Sequence, residues 1–89
     1  MDTKQQYSLL AHFCAAVNSV KRAAYSPQAI SESTYLGGDL GIDSIEMLEV
    51  WFNLEKLLSI RIADDDKRDI YTVGETLAVV SRYLADSAA

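Results

Sequence analysis

Hydrophobic side chains recur every three or four positions along three stretches of the chain, which is the spacing of one face of an α-helix. The positions in the first stretch are Leu10, Phe13, Cys14, Val17 and Val20. The positions in the last stretch are Val73, Leu77, Val80 and Leu84. These patterns predict one helix over about residues 3–24 and another over about residues 73–85, where residues 72–75 have the form of a capping box.

The strongest pattern lies between them, where two apolar stripes share one helix predicted over about residues 44–58. The first stripe, wide enough for a buried face, consists of Met47, Val50, Trp51, Leu54 and Leu58. The second stripe consists of Ile45, Leu48 and Phe52. A helix needs only one apolar face to fold. The second stripe therefore either seals against a neighbouring loop or meets a partner, and periodicity leaves both interpretations open.

Asp43 and Ser44 mark the start of this central helix. The carboxylate of Asp43 suits the N-cap, because it can accept a hydrogen bond from an amide of the first turn. Glu46 follows three residues later, where its side chain can reach back to the cap. Ser44 then takes the first helical position, where we expect its hydroxyl to point away from the core. We interpret Ser44 as the functional residue.

The segments between these helices are predicted from their turn residues. Residues 25–43 contain Pro27 and three glycines but also spaced hydrophobes, so we expect a packed loop. A short helix is predicted over about residues 65–70, capped by one of the aspartates at 64–66. The alternating pattern of a calcium loop is missing there, so no metal site is expected. The fold class predicted is all-α, a small four-helix bundle of three long helices and one short helix, in a single domain over residues 1–89.

Composition narrows the classes of partner and compartment. Eight basic and thirteen acidic residues give a net charge of -5, which disfavours nucleic acid and favours partners with basic patches. The single cysteine excludes an internal disulfide and a zinc site of cysteine and histidine. The N-terminus lacks a signal-peptide pattern, and no apolar run approaches the roughly 20 residues of a membrane span. We expect a free-standing, monomeric, cytoplasmic protein.

Catalysis by the chain itself is not expected. The surroundings of Ser44 lack the G-x-S-x-G pattern, and the only histidine, His12, lies far away on the first predicted helix. Cys14 lies on an apolar stripe, which is typical of a small buried hydrophobe. A phosphodiester on Ser44, by contrast, would be stabilised by the amides and dipole of a helix start. The residues favour a carrier or docking domain whose serine is modified by another enzyme.

The run Asp-Leu-Gly-Ile-Asp-Ser-Ile-Glu at positions 39–46 resembles the phosphopantetheine attachment motif of acyl carrier proteins. The likeness continues on both sides of the motif and covers roughly residues 33–84. This resemblance implies a four-helix bundle whose interior can shelter an acyl chain. It also implies that a separate phosphopantetheinyl transferase attaches 4'-phosphopantetheine to Ser44, beside the helix cap Asp43. The arm would then hold an acyl or aminoacyl group as a thioester.

The resemblance also implies a docking surface on the central helix, which would give the second stripe a role. The positions that match the family's docking residues are Ile45, Glu46, Leu48, Glu49 and Phe52. The partners implied are the enzymes that load and process the acyl group, of the ketosynthase, acyltransferase or adenylating ligase type. These enzymes would bind through basic patches.

Three departures from fatty-acid carriers affect this interpretation. Lys56 and Leu57 stand where those carriers usually have acids, and Trp51 stands where they usually have a small residue. A buried Trp51 ring would fill interior space, so we expect a carrier less able to shelter long acyl chains. The departures favour a specialised pathway, such as polyketide or nonribosomal peptide synthesis. The alternatives are a carrier for fatty-acid synthesis and an unmodified helical interaction module.

Overall fold

The computed structural model describes the backbone of residues 3–88 and the side chains of residues 8–87. Its elements are α1 (Thr3–Lys21), α2 (Ser44–Leu58), a 3₁₀ turn (Asp64–Lys67) and α3 (Val73–Ala88). No strand occurs within these residues, which contain one isolated β-bridge between Tyr35 and Thr72. The predicted all-α class, with three long helices and one short one, is confirmed.

Helix α2 has the bounds that its pattern predicts, but α1 and the 3₁₀ turn end earlier than expected. α1 ends at Lys21 and not near residue 24, because Arg22 takes a left-handed conformation (φ 53°) that cannot continue the helix. The 3₁₀ turn covers Asp64–Lys67 instead of 65–70. Its continuation is prevented by Arg68, which is extended, and by Asp69, which is left-handed (φ 57°).

Helix α3 runs to Ala88, three residues beyond its predicted end near 85. The residues from 85 to 88 include no glycine or proline that would break the last turn. The apolar stripe stops at Leu84, so periodicity alone could not locate an end that is set by solvated residues.

The hydrophobic core lies where the three helices and the long loop meet. Its largest fully buried side chains include Phe13 from α1, Trp51 and Leu54 from α2, and Val80 from α3. The loop adds the buried residues Leu36, Leu40 and Ile42. Residues 25–43 therefore form one wall of the core, as the packed-loop prediction requires.

The loop is also joined by backbone hydrogen bonds to the start of α3. Val73 N donates to Thr34 O (2.9 Å), and Gly74 N donates to Glu32 O (2.8 Å). Leu36 N donates to Tyr71 O (2.9 Å). These bonds hold residues 71–74 against the part of the loop that leads to Ser44.

The capping box predicted for α3 is confirmed. Glu75 N donates to Thr72 Oγ1 (3.1 Å), while the amides of Tyr71 and Thr72 donate to Glu75 Oε1 at 2.9 and 3.0 Å. The pKa of Glu75 is lowered, chiefly by the hydrogen bond from the Tyr71 amide. A lowered pKa contributes stability that is present above the unfolded-state pKa and is lost as the pH falls through the folded-state pKa.

Gly74→Ala is expected to destabilise the fold, although alanine is normally the better helix former. A Cβ at this position would lie 2.9 Å from Glu32 O and 3.0 Å from Glu32 Cβ, so the loop would have to move. We expect the free energy of unfolding to fall by about 1–3 kcal/mol, the usual cost of overpacking, in urea denaturation.

The matched control is Gly38→Ala, whose Cβ would make an ordinary contact 3.7 Å from Tyr35 Cβ. This control should retain the stability of the wild type. If Gly74→Ala proved as stable as Gly38→Ala, the close contact between the loop and α3 would not be a constraint on the fold.

Candidate functional site

The N-terminus of α2 is held by a reciprocal capping box, as its sequence predicts. Glu46 N donates to Asp43 Oδ1 (2.8 Å), and Asp43 N donates to Glu46 Oε1 (3.0 Å). Asp43 has the extended dihedrals of an N-cap residue (φ -86°, ψ 177°). Its carboxylate is thus engaged as a helix cap.

Lys21, in the last turn of α1, binds the Glu46 carboxylate of this capping box. Its Nζ lies 3.0 Å from Glu46 Oε2 and 3.2 Å from Glu46 Oε1. It also donates a hydrogen bond to Gly41 O (2.9 Å). Gly41 has a left-handed φ of 67°, a conformation that favours glycine. Both charged side chains are about three-quarters buried, which reduces screening by salt. No local sequence pattern signals this contact, because its partners lie 20 and 25 residues away.

Ser44 is the first residue of α2 and is exposed. No hydrogen bond within the part of the chain that the structure describes engages its hydroxyl. The residues on either side of it are therefore fixed, while its own Oγ remains accessible to a second macromolecule.

A groove of about 500 Å³ opens beside Ser44. Its walls come from residues 35–38 of the loop, the first half of α2 and residues 67–71. Trp51 gives the groove an apolar inner wall and is itself only 2% exposed. At the rim, the Tyr71 hydroxyl donates to Asp69 Oδ1 (3.2 Å), and this bond raises the pKa of Tyr71.

The residues predicted for docking separate into two groups. Ile45, Leu48 and Phe52 are 70%, 64% and 60% exposed, so the second stripe faces solvent and is not sealed by a loop. Glu49 is exposed as well. Glu46 differs, because Lys21 and the Asp43 amide already occupy its carboxylate.

His12 and Cys14 are not brought to Ser44. His12 Nδ1 lies 2.8 Å from Ser8 O in its own helix. Cys14 is buried, and burial raises the pKa of its thiol, which disfavours the reactive thiolate. The described side chains thus provide no base hydrogen-bonded to Ser44.

Comparison with curated proteins decides the family. The acyl carrier protein of Amoebophilus asiaticus is 30% identical over 67 residues, which cover 75% of this chain and 84% of that protein. The chain belongs to the acyl carrier protein family. The acyl carrier protein of Renibacterium salmoninarum is 29% identical over 73 residues, covering 82% of this chain and 88% of that protein. A putative mitochondrial acyl carrier protein of Schizosaccharomyces pombe is 30% identical over 56 residues, which cover half of that protein. No family model matches the chain.

Acyl carrier proteins are carriers and not catalysts, so the chain is a carrier and not an enzyme. The family generally carries 4'-phosphopantetheine, and the residues around Ser44 fit such a group. The fit rests on an unengaged hydroxyl at a helix N-terminus, where an anionic phosphodiester is favoured. Among the described residues, no helix combines the length and the apolar character needed to cross a bilayer.

Asp43→Ala is expected to lower the free energy of unfolding by about 0.5–2 kcal/mol, because the Glu46 amide would lose its acceptor. The matched control is Asp43→Asn, which keeps an oxygen at the N-cap and should retain most of the stability. Urea denaturation measures both variants, and amide exchange at residues 44–47 reports the local effect. Wild-type stability and exchange in Asp43→Ala would show that the cap does not hold the start of α2.

Proposed function

We propose that this chain carries acyl intermediates as thioesters on a 4'-phosphopantetheine arm attached to Ser44. The observation that carries the proposal is the contrast between a fixed helix start and a free hydroxyl. Asp43, Glu46 and Lys21 hold the backbone on both sides of Ser44, while its Oγ is exposed and unengaged. A transferase thus meets an accessible nucleophile in one defined position.

The arm, when bound, supplies a thiol that holds the cargo as a thioester. The residues of this chain do the rest: Ser44 anchors the phosphodiester, and the N-terminus of α2 favours its negative charge. The groove beside Ser44 offers an apolar surface along which the start of the arm can lie. Neither role requires the chain to move a proton or to form an intermediate of its own.

The chain is proposed to work in the cytoplasm as a monomer with a phosphopantetheinyl transferase and with enzymes that load and process the acyl group. A lone, buried cysteine suits a reducing compartment. The exposed second stripe of α2, which starts next to Ser44, suits a docking surface for such enzymes.

We infer a specialised pathway, such as polyketide or nonribosomal peptide synthesis, in preference to fatty-acid synthesis. The support is the large ring of Trp51, which fills the interior next to the groove and is almost completely buried. Close-packed interiors accept added volume only at a cost, so a long acyl chain has little room behind this ring.

Ser44→Ala is expected to abolish attachment of the arm. The apo protein would be incubated with coenzyme A and a broad-specificity phosphopantetheinyl transferase, and intact-protein mass spectrometry would count the arms added. The wild type and the control Ser19→Ala, which alters another exposed serine, should each gain one arm. Addition to Ser44→Ala would contradict the proposed site, and no addition to the wild type would favour an unmodified interaction module.

Thermal stability is expected to be nearly independent of the length of the attached acyl chain, because Trp51 occupies the interior that a long chain would enter. Holo protein would be loaded with acetyl, octanoyl and palmitoyl groups, and melting curves would be compared with that of the unacylated arm. A fatty-acid carrier analysed in parallel provides the reference. A rise in Tm with chain length equal to that of the reference would contradict the proposed preference.

Trp51→Leu tests whether the Trp51 ring itself limits the space for a long acyl chain. The smaller side chain would leave space in the core, so the variant should be less stable without cargo. If Trp51 is the barrier, long acyl groups should restore more stability to this variant than to the wild type.

A further inference from the structure

The groove beside Ser44 has the size and lining of a site for a small organic group. Its volume of about 500 Å³ falls within the range of pockets that bind small ligands. The apolar part of its lining includes Leu36, Ile42, Met47, Trp51 and Ile70. Ser44 also lines the groove, so a group carried on its arm is tethered beside it. Tethering raises the effective concentration of that group to roughly millimolar, so weak contacts are sufficient to hold it there.

Two exposed carboxylates belong to the lining of this groove. Asp43 directly precedes Ser44, and Asp69 lies on the segment that leads to α3. Asp43 uses its Oδ1 to cap α2, while Asp69 Oδ1 accepts a hydrogen bond from the Tyr71 hydroxyl (3.2 Å). Neither carboxylate forms an ion pair with a side chain of residues 8–87. Both negative charges therefore remain available to a cation in the groove.

The one basic side chain that lines the groove, among the described residues, is Lys67, and it is already bound. Its Nζ lies 3.0 Å from Glu55 Oε1 and 3.5 Å from Asp64 Oδ1, and its side chain is 15% exposed. An anionic group would have to displace this partly buried ion pair to reach Lys67. The phosphodiester proposed for Ser44 would add a further negative charge. An anionic cargo, such as a dicarboxylic acyl group, is therefore disfavoured in the groove.

Two exposed tyrosine rings also line the groove. Tyr35 and Tyr71 are 57% and 61% exposed, and the hydrogen bond from Leu36 N to Tyr71 O (2.9 Å) holds their backbones side by side. The faces of aromatic rings attract cations as well as apolar groups. Free carboxylates, aromatic rings and apolar side chains together favour an occupant that has an ammonium group on an apolar body.

We propose that the groove holds an aminoacyl group loaded on the arm of the same molecule, and that Asp43 and Asp69 bind its free α-amine. The side chain of the aminoacyl group would lie against the apolar lining. A plain acyl group has an apolar body without the positive charge, and a dicarboxylic acyl group has the opposite charge. This inference rests on the proposed carrier function and specifies the class of cargo carried.

The test compares two cargo groups that differ only in the amine. A broad-specificity phosphopantetheinyl transferase would load isotopically labelled apo protein from coenzyme A analogues that carry phenylalanyl or phenylpropanoyl through a stable amide. Amide spectra would be recorded at about pH 6, below the usual pKa of an α-amino group. The amides of Gly37, Gly38 and Ile70 report contact with the groove, because these residues line it. In rapid exchange, their shifts grow with the fraction of time that the group is docked.

Phenylalanyl should shift the groove amides about twofold to fivefold more than phenylpropanoyl, the ratio that an exposed ion pair provides. Asp69→Asn should lower this ratio, because it removes the charge but keeps an acceptor for the Tyr71 hydroxyl. Asparagine also tolerates the left-handed φ of 57° at this position. The matched control Asp65→Asn removes the same charge from a side chain that is 86% exposed and lies outside the groove. This control should retain the ratio of the wild type.

Equal or absent shifts with the two cargo groups would overturn the inference and leave the carrier function intact. A ratio in Asp69→Asn equal to that in Asp65→Asn would overturn it as well. A wild type that accepts no arm would contradict the proposed function instead.

Discussion

The geometry of this site depends on the contacts that the Glu46 carboxylate makes with Asp43 and Lys21. One of its oxygens accepts a hydrogen bond from the Asp43 amide and so closes the capping box. Both oxygens lie within 3.2 Å of Lys21 Nζ. Lys21 in turn binds Gly41 O. The end of α1, the glycine turn and the start of α2 thus share a single charged centre, partly removed from solvent. Ser44 lies inside this network without taking part in it, which is how its hydroxyl stays free while its position is fixed.

Two ion pairs, Lys21–Glu46 and Lys67–Glu55, allow α2 to combine a rigid start with an apolar outer face. A helix that displayed all its acids would attract basic partners along its whole length. Here lysines from α1 and from the 3₁₀ turn bind Glu46 and Glu55, and the exposed stripe is left with almost no net charge. The buried stripe of α2 meanwhile places Trp51 against the groove.

Local patterns were sufficient to predict the parts of the fold that local interactions determine. The capping residues Asp43 and Glu46 locate the start of α2, and residues 72–75 locate the start of α3. The end of α1 could not be predicted, because Arg22 takes its left-handed conformation at the entry to a loop whose path depends on the whole core. The pairing of Lys21 with Glu46 joins residues that tertiary packing alone brings together.

The exposure of the second stripe could not be predicted from the periodicity of the sequence either. Ile45, Leu48 and Phe52 have the spacing of a buried face. Whether they are buried depends on the path of residues 25–43, which pack against the core and leave this stripe exposed. The resemblance to acyl carrier proteins pointed to docking at these positions. It did not indicate that Glu46 is also paired with Lys21, because that lysine lies outside the motif.

The central claim is that the free hydroxyl at the start of α2 receives the arm. Tandem mass spectrometry of the tryptic peptide covering residues 23–56 tests it most directly, after the wild type has reacted with coenzyme A and a transferase. This peptide contains Ser44 together with other serines of the loop, such as Ser26, Ser31 and Ser33. The account predicts phosphopantetheine on Ser44 and on no other residue. An arm on a loop serine, or an unmodified peptide, would contradict it.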